Sequence, residues 1–180
     1  MNNNLSLATF GGGCFWCIEN IFNKIKGVQL ATSGYAGGRK PNPTYEEVCE
    51  GNTGYVEVVQ IAYHPEEITY LDLLKIFFKI HDPTQINRQG DDIGEQYRSV
   101  VFYHTEEQKD ISEALIQSLD AAHIWPSPIA TKVEPIQNYF AAEAYHQNYY
   151  EQNKETNSYC SLVVRPKVEK FEKVFADMMK

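Results

Sequence analysis

Apolar residues along this chain switch between a two-residue and a helical period, and the order of the switches constrains the fold more than any other feature. Leu5 to Phe10 alternates apolar and small residues and reads as a strand. Gly11-Gly12-Gly13 breaks it. Ile18, Ile21, Phe22 and Ile25 recur at helical spacing, with Gly27 as a stop. Val28 to Tyr35 is the next strand, followed by a Gly- and Pro-rich loop from Ala36 to Thr44 and a helical turn over Tyr45 to Cys49. Val56 to Tyr63 is a Val- and Ile-rich strand. Leu71, Leu74 and Phe78 form a helical face backed by Leu73, Ile76, Phe77 and Ile80, so this helix is expected to be buried on most sides. A polar loop covers Asp82 to Tyr97, and Ser99 to Tyr103 is a strand.

Strand, helix, strand, strand, helix, strand is the split βαβ, ferredoxin-like order. The expected fold is therefore α/β, a two-layer α+β sandwich with later elements wrapped around it. Those elements are a helix capped by a Thr105/Gln108 box and reaching about Leu119, an outer strand over Ala130 to Ile136, and a polar helix from Ala141 to Tyr150. A C-terminal amphipathic helix through Val168, Phe171, Phe175 and Met178 has Pro166 near its first turn. No repeat or long linker divides the chain, so residues 1–180 are expected to form one domain.

Composition removes whole function classes. A net charge of -8 argues against a broad basic face for nucleic acid or anionic lipid. No run approaches the roughly 18 apolar residues of a membrane helix, and Met1-Asn2-Asn3-Asn4-Leu5-Ser6 has no basic stretch leading into an apolar one. A cytoplasmic location is expected, where thiols stay reduced and cysteines are more often reactive, metal-binding or buried than bridged.

That directs attention to Gly11-Gly12-Gly13-Cys14-Phe15-Trp16-Cys17. The glycines end a strand, open a helix and leave room for close approach of a ligand. Cys14 is expected in the first helical turn, where unpaired N–H groups and the dipole favour thiolate. The plainer alternative is a small residue at a tight packing point. Phe15 and Trp16 fit a pocket wall or the core equally well. One C-x-x-C with five scattered histidines is a poor metal site. Glu57 interrupts a strongly apolar strand, and the pattern by itself places it toward solvent.

Ordered motifs narrow the choice. Gly13-Cys14-Phe15-Trp16, Gly34-Tyr35-Ala36-Gly37-Gly38 and Pro41-Asn42-Pro43-Thr44-Tyr45-Glu46-Glu47-Val48-Cys49 come first. Gly51-Asn52-Thr53-Gly54 leading to Glu57, His81-Asp82-Pro83-Thr84, Arg88-Gln89-Gly90-Asp91-Asp92-Ile93-Gly94 and Gln96-Tyr97-Arg98-Ser99 follow. Together they resemble the peptide methionine sulfoxide reductase A family, which reduces one epimer of methionine sulfoxide. The resemblance implies a ferredoxin-like sandwich and thiol-based reduction of methionine S-sulfoxide in oxidised proteins, peptides or free methionine. No conventional cofactor or metal is implied; the electrons come from thioredoxin or a dithiol. Residue by residue, it implies Cys14 as nucleophile and Glu57 as the acid that protonates the sulfoxide oxygen. Tyr45 and Tyr97 would hydrogen-bond that oxygen, Phe15 and Trp16 would hold the methyl group, and Asp92 would help position the substrate.

Attack leaves a sulfenic acid that a second thiol condenses with. Ser158-Tyr159-Cys160-Ser161-Leu162 resembles the family branch with a resolving cysteine in this segment. Cys160 follows the polar stretch Glu151 to Asn157, readable as a mobile loop. It is favoured over Cys17, the alternative resolver, because bridging two residues within one helical turn needs local distortion. Cys49 is expected to be a buried spectator. The competing classes are a thiol–disulfide oxidoreductase using Cys14 and Cys17, a cysteine hydrolase, for which no motif supplies a His base, and an acidic binding module with an aromatic groove.

Overall fold

The structure, a computed structural model, describes residues 4–180. Met1, Asn2 and Asn3, part of the stretch read above for targeting, lie outside the described residues. The first half runs β1 (Ser6–Gly11), α1 (Phe15–Asn23), β2 (Val28–Ala36), α2 (Tyr45–Cys49), β3 (Val56–Tyr63) and α3 (Tyr70–Ile80). A small hairpin, β4 (Arg88–Gln89) and β5 (Asp92–Ile93), precedes β6 (Val100–Tyr103). Then come α4 (Glu106–Ala121), β7 (Lys132–Pro135), β8 (Phe140–Ala141), α5 (Tyr149–Asn153) and α6 (Arg165–Val174).

The main sheet has the order β7-β6-β1-β3-β2-β8. Its inner four strands, β6-β1-β3-β2, are all antiparallel neighbours, which is the ferredoxin-like arrangement that the element order predicts. β7 adds in parallel to β6, and β8 pairs with the end of β2. β3 is central, so its alternation separates two apolar layers. Val59, Ile61 and Tyr63 join the main core with α1 and α3. Val56 and Val58 face a smaller cluster with Ala36, Val100 and Phe102, covered by Ile136 and Tyr139. Phe10 ties the main layer together, stacking on Phe77 of α3 at 4.8 Å between ring centres and meeting Phe22 of α1. Each such fully buried ring stabilises the fold by roughly 1.5–3 kcal/mol.

At the glycine run, sheet and helix are in close contact. A Cβ on Gly12 would lie 2.9 Å from both Phe77 Cε1 and His81 Cδ2. Gly12→Ala is therefore expected to cost about 1–3 kcal/mol by overpacking, read as a lower midpoint in urea unfolding.

Several expected elements are corrected. The polar helix over Ala141 to Tyr150 does not form. Ala141 pairs with Gly34 in the sheet, residues 144–146 make a single 3-10 turn, and helix begins only at Tyr149. The reason is tertiary competition for hydrogen bonds. The Gln147 side chain pairs with Ser33 as a strand would, accepting from Ser33 N at 3.1 Å and donating to Ser33 O at 2.9 Å. Asn148 takes a left-handed conformation (φ 57) and donates its N–H to Glu19. The outer strand is shorter than Ala130 to Ile136, and the loop over Asp82 to Tyr97 contains the β4–β5 hairpin and a 3-10 turn, Glu95–Tyr97. Only half of the α4 capping box closes. Thr105 accepts from Gln108 N, but the Gln108 side chain accepts from His104 N and donates to Leu7 O. The last helix ends at Val174, and Met178 falls in a separate 3-10 turn.

The segment before α6 also differs from a mobile loop. Glu151 to Asn153 is helical, with Glu151 held by Asn20 and Lys24. Cys160 opens a π-helical turn, Cys160–Val164, and is fully buried. π-Turns are rare and concentrate at functional places.

Candidate active site

Seven residues singled out in the sequence meet in one cavity of about 230 Å³: Cys14, Phe15, Trp16, Tyr45, Glu57, Asp92 and Tyr97. Asn157 and Tyr159 complete its lining. Four separate parts of the chain supply these groups, and each is aimed by local rules.

Cys14 is the N-cap of α1, with extended backbone (φ -65, ψ 123), so it stands just before the first turn instead of within it. Gly13 precedes it at φ +103, a left-handed conformation, and a Cβ there would lie 2.8 Å from Gln89 Cγ. Tyr45 is the first residue of α2. A reciprocal Thr44/Glu47 capping box sets that helix start, and the Tyr45 N–H donates to Glu143 at 3.0 Å. Tyr97 ends the 3-10 turn after the β4–β5 hairpin, which carries Asp92.

Glu57 lies opposite Tyr35 in the β2–β3 register. It shares the helix-covered face of Val59 and Ile61 and is only 1% exposed. The solvent-facing placement suggested by the strand pattern is thus corrected. Oε1 accepts the Phe15 N–H at 3.3 Å, while Oε2 has no partner among the described residues. Burial pushes the carboxyl up to about 8, the Phe15 N–H works against this, and the Asp92 carboxylate adds to it. At neutral pH Glu57 is an acid with a proton to give.

The expectation that the helix start lowers the Cys14 pKa is overturned. Burial comes first and the Glu57 charge second, and together they hold the thiol well above its ordinary value. The Trp16 N–H dipole pulls the other way without closing a capping hydrogen bond. Burial, with the Glu57 charge next, also raises both tyrosines, so Tyr45 and Tyr97 stay neutral hydrogen-bond donors.

The aromatic wall is braced from behind. Phe15 is 1% exposed and packs on Tyr35 and His146. Trp16 stacks on Tyr149 at 4.0 Å and donates its Nε1–H to His146 Nδ1 at 3.0 Å. Asp92 accepts from the Tyr159 hydroxyl at 2.8 Å, and Tyr159 meets Trp16 edge-on.

Sequence reasoning missed Asn157, Tyr159, His146 and Glu143. Glu143 accepts from the Tyr35 and Tyr145 hydroxyls as well as from Tyr45 N. The available signal was Glu143-Ala144-Tyr145-His146-Gln147-Asn148-Tyr149, where polar groups alternate with aromatics. A helical period read into that stretch hid it.

The remaining cysteines separate clearly. Cys17 and Cys160 lie outside the substrate-sized cavity. Cys17 lines a neighbouring cavity of about 210 Å³ together with Cys14. Cys49 is exposed on α2, correcting its expected burial. A larger cavity of about 640 Å³ between α3, α4 and the C-terminal segment contains no thiol. Among the described residues, no three His, Cys, Asp or Glu side chains gather to hold a metal ion, and no helix is long and apolar enough to cross a membrane.

Known proteins similar to this chain point to one family. The family model described as peptide methionine sulfoxide reductase matches residues 6–179. A relative from Natronomonas pharaonis, named peptide methionine sulfoxide reductase MsrA, is 51% identical over 170 residues, covering 94% of this chain and 95% of its own. The crystal structure of reduced Mxr1 from Saccharomyces cerevisiae is 36% identical, with a TM-score of 0.78 over 86% of this chain and 88% of that one. Mxr1 in complex with Trx2 is 27% identical at a TM-score of 0.55, covering 81% of this chain and 84% of that one. With a family match that runs almost from end to end, the chain belongs to the peptide methionine sulfoxide reductase family.

Proposed function

We propose that this protein reduces the S epimer of methionine sulfoxide, in oxidised proteins, peptides and free methionine, with the whole chain as the catalytic unit. The observation that carries the reading is the single cavity in which Cys14 faces a buried, protonated Glu57 and two neutral phenols.

A sulfoxide sulfur is only weakly electrophilic. Its oxygen must gain a proton as charge builds on it. Tyr45 and Tyr97 orient the oxygen, and Glu57 delivers its proton through the free Oε2. The Cys14 sulfur attacks the substrate sulfur and forms an S–S bond as the S–O bond breaks, the oxygen leaving as water with the Glu57 proton and the Cys14 thiol proton. That water then attacks the Cys14 sulfur, the S–S bond breaks, a sulfenic acid remains on Cys14, and the released proton returns to Glu57. Two electrons pass from Cys14 to the substrate, which leaves as methionine. The methyl group lies against Phe15 and Trp16, and Asp92, braced by Tyr159, holds the substrate backbone. Because sulfoxide sulfur is a stereocentre, fixing the oxygen, the methyl group and the direction of attack admits one epimer.

Cys160 then carries the disulfide that a reductant opens. Thioredoxin is the partner proposed, since the similar Mxr1 has a structure with Trx2. Leu162 (75% exposed) and Val163 beside Cys160 offer such a partner an apolar contact. Thiols supply all the electrons, with no prosthetic group, and a cytoplasmic location suits free thiols.

The test is an epimer-resolved assay. A peptide carrying methionine S-sulfoxide plus a dithiol is expected to yield methionine, while the R epimer is left intact. No product, or equal consumption of both epimers, overturns the proposal.

A further inference from the structure

Cys14 sits in the wall between two cavities. One is the substrate cavity with Glu57; the other, of about 210 Å³, holds Cys17 and is rimmed by Lys167 and Lys170 of α6. Among the described residues, Tyr159 is the only other one that lines both. We propose that Cys17 is the first thiol to react with the Cys14 sulfenic acid, and that Cys160 acts only afterwards, on the resulting Cys14–Cys17 disulfide. This rests on the reductase function proposed above.

The two-cavity arrangement supplies the geometry of attack. Oxygen arrives on Cys14 from the substrate side. Cys17 lies on the other side, so its sulfur approaches opposite the departing oxygen, as displacement at sulfur requires. The S–O bond of the sulfenic acid breaks and the S–S bond forms. Cys17 loses one electron, the Cys14 sulfur gains one, and the hydroxyl leaves with the Cys17 proton as water. Burial pushes the Cys17 thiol up to about 12, against the pull of the Lys167 ammonium. Passing the proton directly to the departing hydroxyl means that no free thiolate has to accumulate.

The distortion needed is small and falls at a soft place. Side chains three apart on a helix have Cβ atoms about 5–6 Å apart, and a disulfide needs about 3.5–4.5 Å. The deficit is closed by turning Cys14, which stands at ψ 123 outside the helical ladder and follows a left-handed glycine. Helix α1 need not unwind. Cys160 faces a larger obstacle. Its side chain is fully buried with Val164 and Val168, and its N–H is held by Asn157 Oδ1 at 3.2 Å. Bringing it to Cys14 means pulling it out of the core.

Once Cys14 and Cys17 are bridged, the Cys160 thiolate attacks the Cys17 sulfur. Cys14 leaves as thiolate, and a Cys17–Cys160 disulfide remains for the dithiol reductant.

The experiment is a reductant-free single turnover. Full-length protein is mixed with one equivalent of peptide methionine S-sulfoxide, acid-quenched at intervals, alkylated and peptide-mapped. In wild type the first linked pair is expected to be Cys14–Cys17, with Cys17–Cys160 appearing later. Cys160→Ser is expected to release one equivalent of methionine and lose two of its three remaining thiols as a Cys14–Cys17 disulfide. Cys17→Ser is expected to prolong a dimedone-trappable sulfenic acid on Cys14 by about tenfold or more, because Cys160 is buried and Cys49 lines neither cavity that holds Cys14. A Cys14–Cys160 pair forming first in wild type overturns the proposal. So does a persistent sulfenic acid with Cys17 free in Cys160→Ser. Failure of wild type to release methionine overturns the reductase function instead.

Discussion

Glu57→Gln is expected to lower kcat/KM for peptide methionine S-sulfoxide by about 100- to 10,000-fold, the usual worth of a positioned general acid, and at the same time to make the fold more stable by an amount that grows from pH 4.5 to about pH 8. Both effects come from one placement. The carboxyl is buried, with Oε2 unpartnered, and its pKa is raised from 4.5 to about 8. In the unfolded chain it ionises near 4.5. Between these values the native state holds the extra proton, so its stability falls as pH rises. The slope is about 1.4 kcal/mol per pH unit for one group. His81 has the opposite sign. It is buried between Phe77 O and Ser99, and burial lowers its pKa from 6.5 to about 4. The unfolded chain holds the extra proton there, so His81 makes stability rise with pH over that window. The two effects offset each other from 4.5 to 6.5. Above 6.5 only the Glu57 cost grows, and it is complete above about pH 8. Gln has no charge to bury. Because His81 is present in both proteins and cancels, urea unfolding of wild type and Glu57→Gln at pH 5, 6.5 and 8 is expected to show a gap that opens from pH 5 onward and reaches a few kcal/mol at pH 8. Full methionine S-sulfoxide reduction by Glu57→Gln would overturn the role of Glu57 as the acid.

What could be read in the sequence was what local rules decide. The strand over Val56 to Tyr63 and the helical turn over Tyr45 to Cys49 have the predicted limits, because each carries its own period or cap. The glycine run placed Cys14 at a strand–helix junction for the same reason. Long-range partners decided the rest. Glu57 looked exposed because alternation cannot tell which face of a central strand is covered, and here both are. The thiolate expectation for Cys14 counted the helix dipole, a local term, but not burial or the carboxylate arriving from residue 57. Residues 141–150 have helical composition, yet Ser33 and Glu19 take the hydrogen bonds that a helix would have made. Cys160 seemed mobile because its flanks are polar; its own side chain faces the core. The seven residues of the substrate cavity were legible as a set only through the ordered motifs, since Tyr45, Asp92 and Tyr97 have no individual signature.

Cys14→Ser is expected to leave no measurable turnover, and the chemistry explains why the loss is complete instead of partial. A thiol can accept the sulfoxide oxygen because sulfur forms a stable S–OH. A serine oxygen in its place would have to form an O–OH bond, a peroxide made at the expense of a sulfoxide. Sulfur's role here is therefore as an oxygen acceptor as well as a nucleophile, and no rearrangement of Glu57 or the tyrosines compensates. The same substitution is expected to stabilise helix α1. Cys14 occupies an N-cap without a capping hydrogen bond. Serine is among the preferred residues there, since its oxygen can accept from the N–H groups of the first turn, worth about 0.5–2 kcal/mol. Melting curves at pH 7 are then expected to rise for Cys14→Ser while methionine production disappears. A variant that simply misfolded would lower both. Cys14 and Glu57 share this behaviour: each stands where another residue would be more stable, and each is the group the reaction consumes or deprotonates.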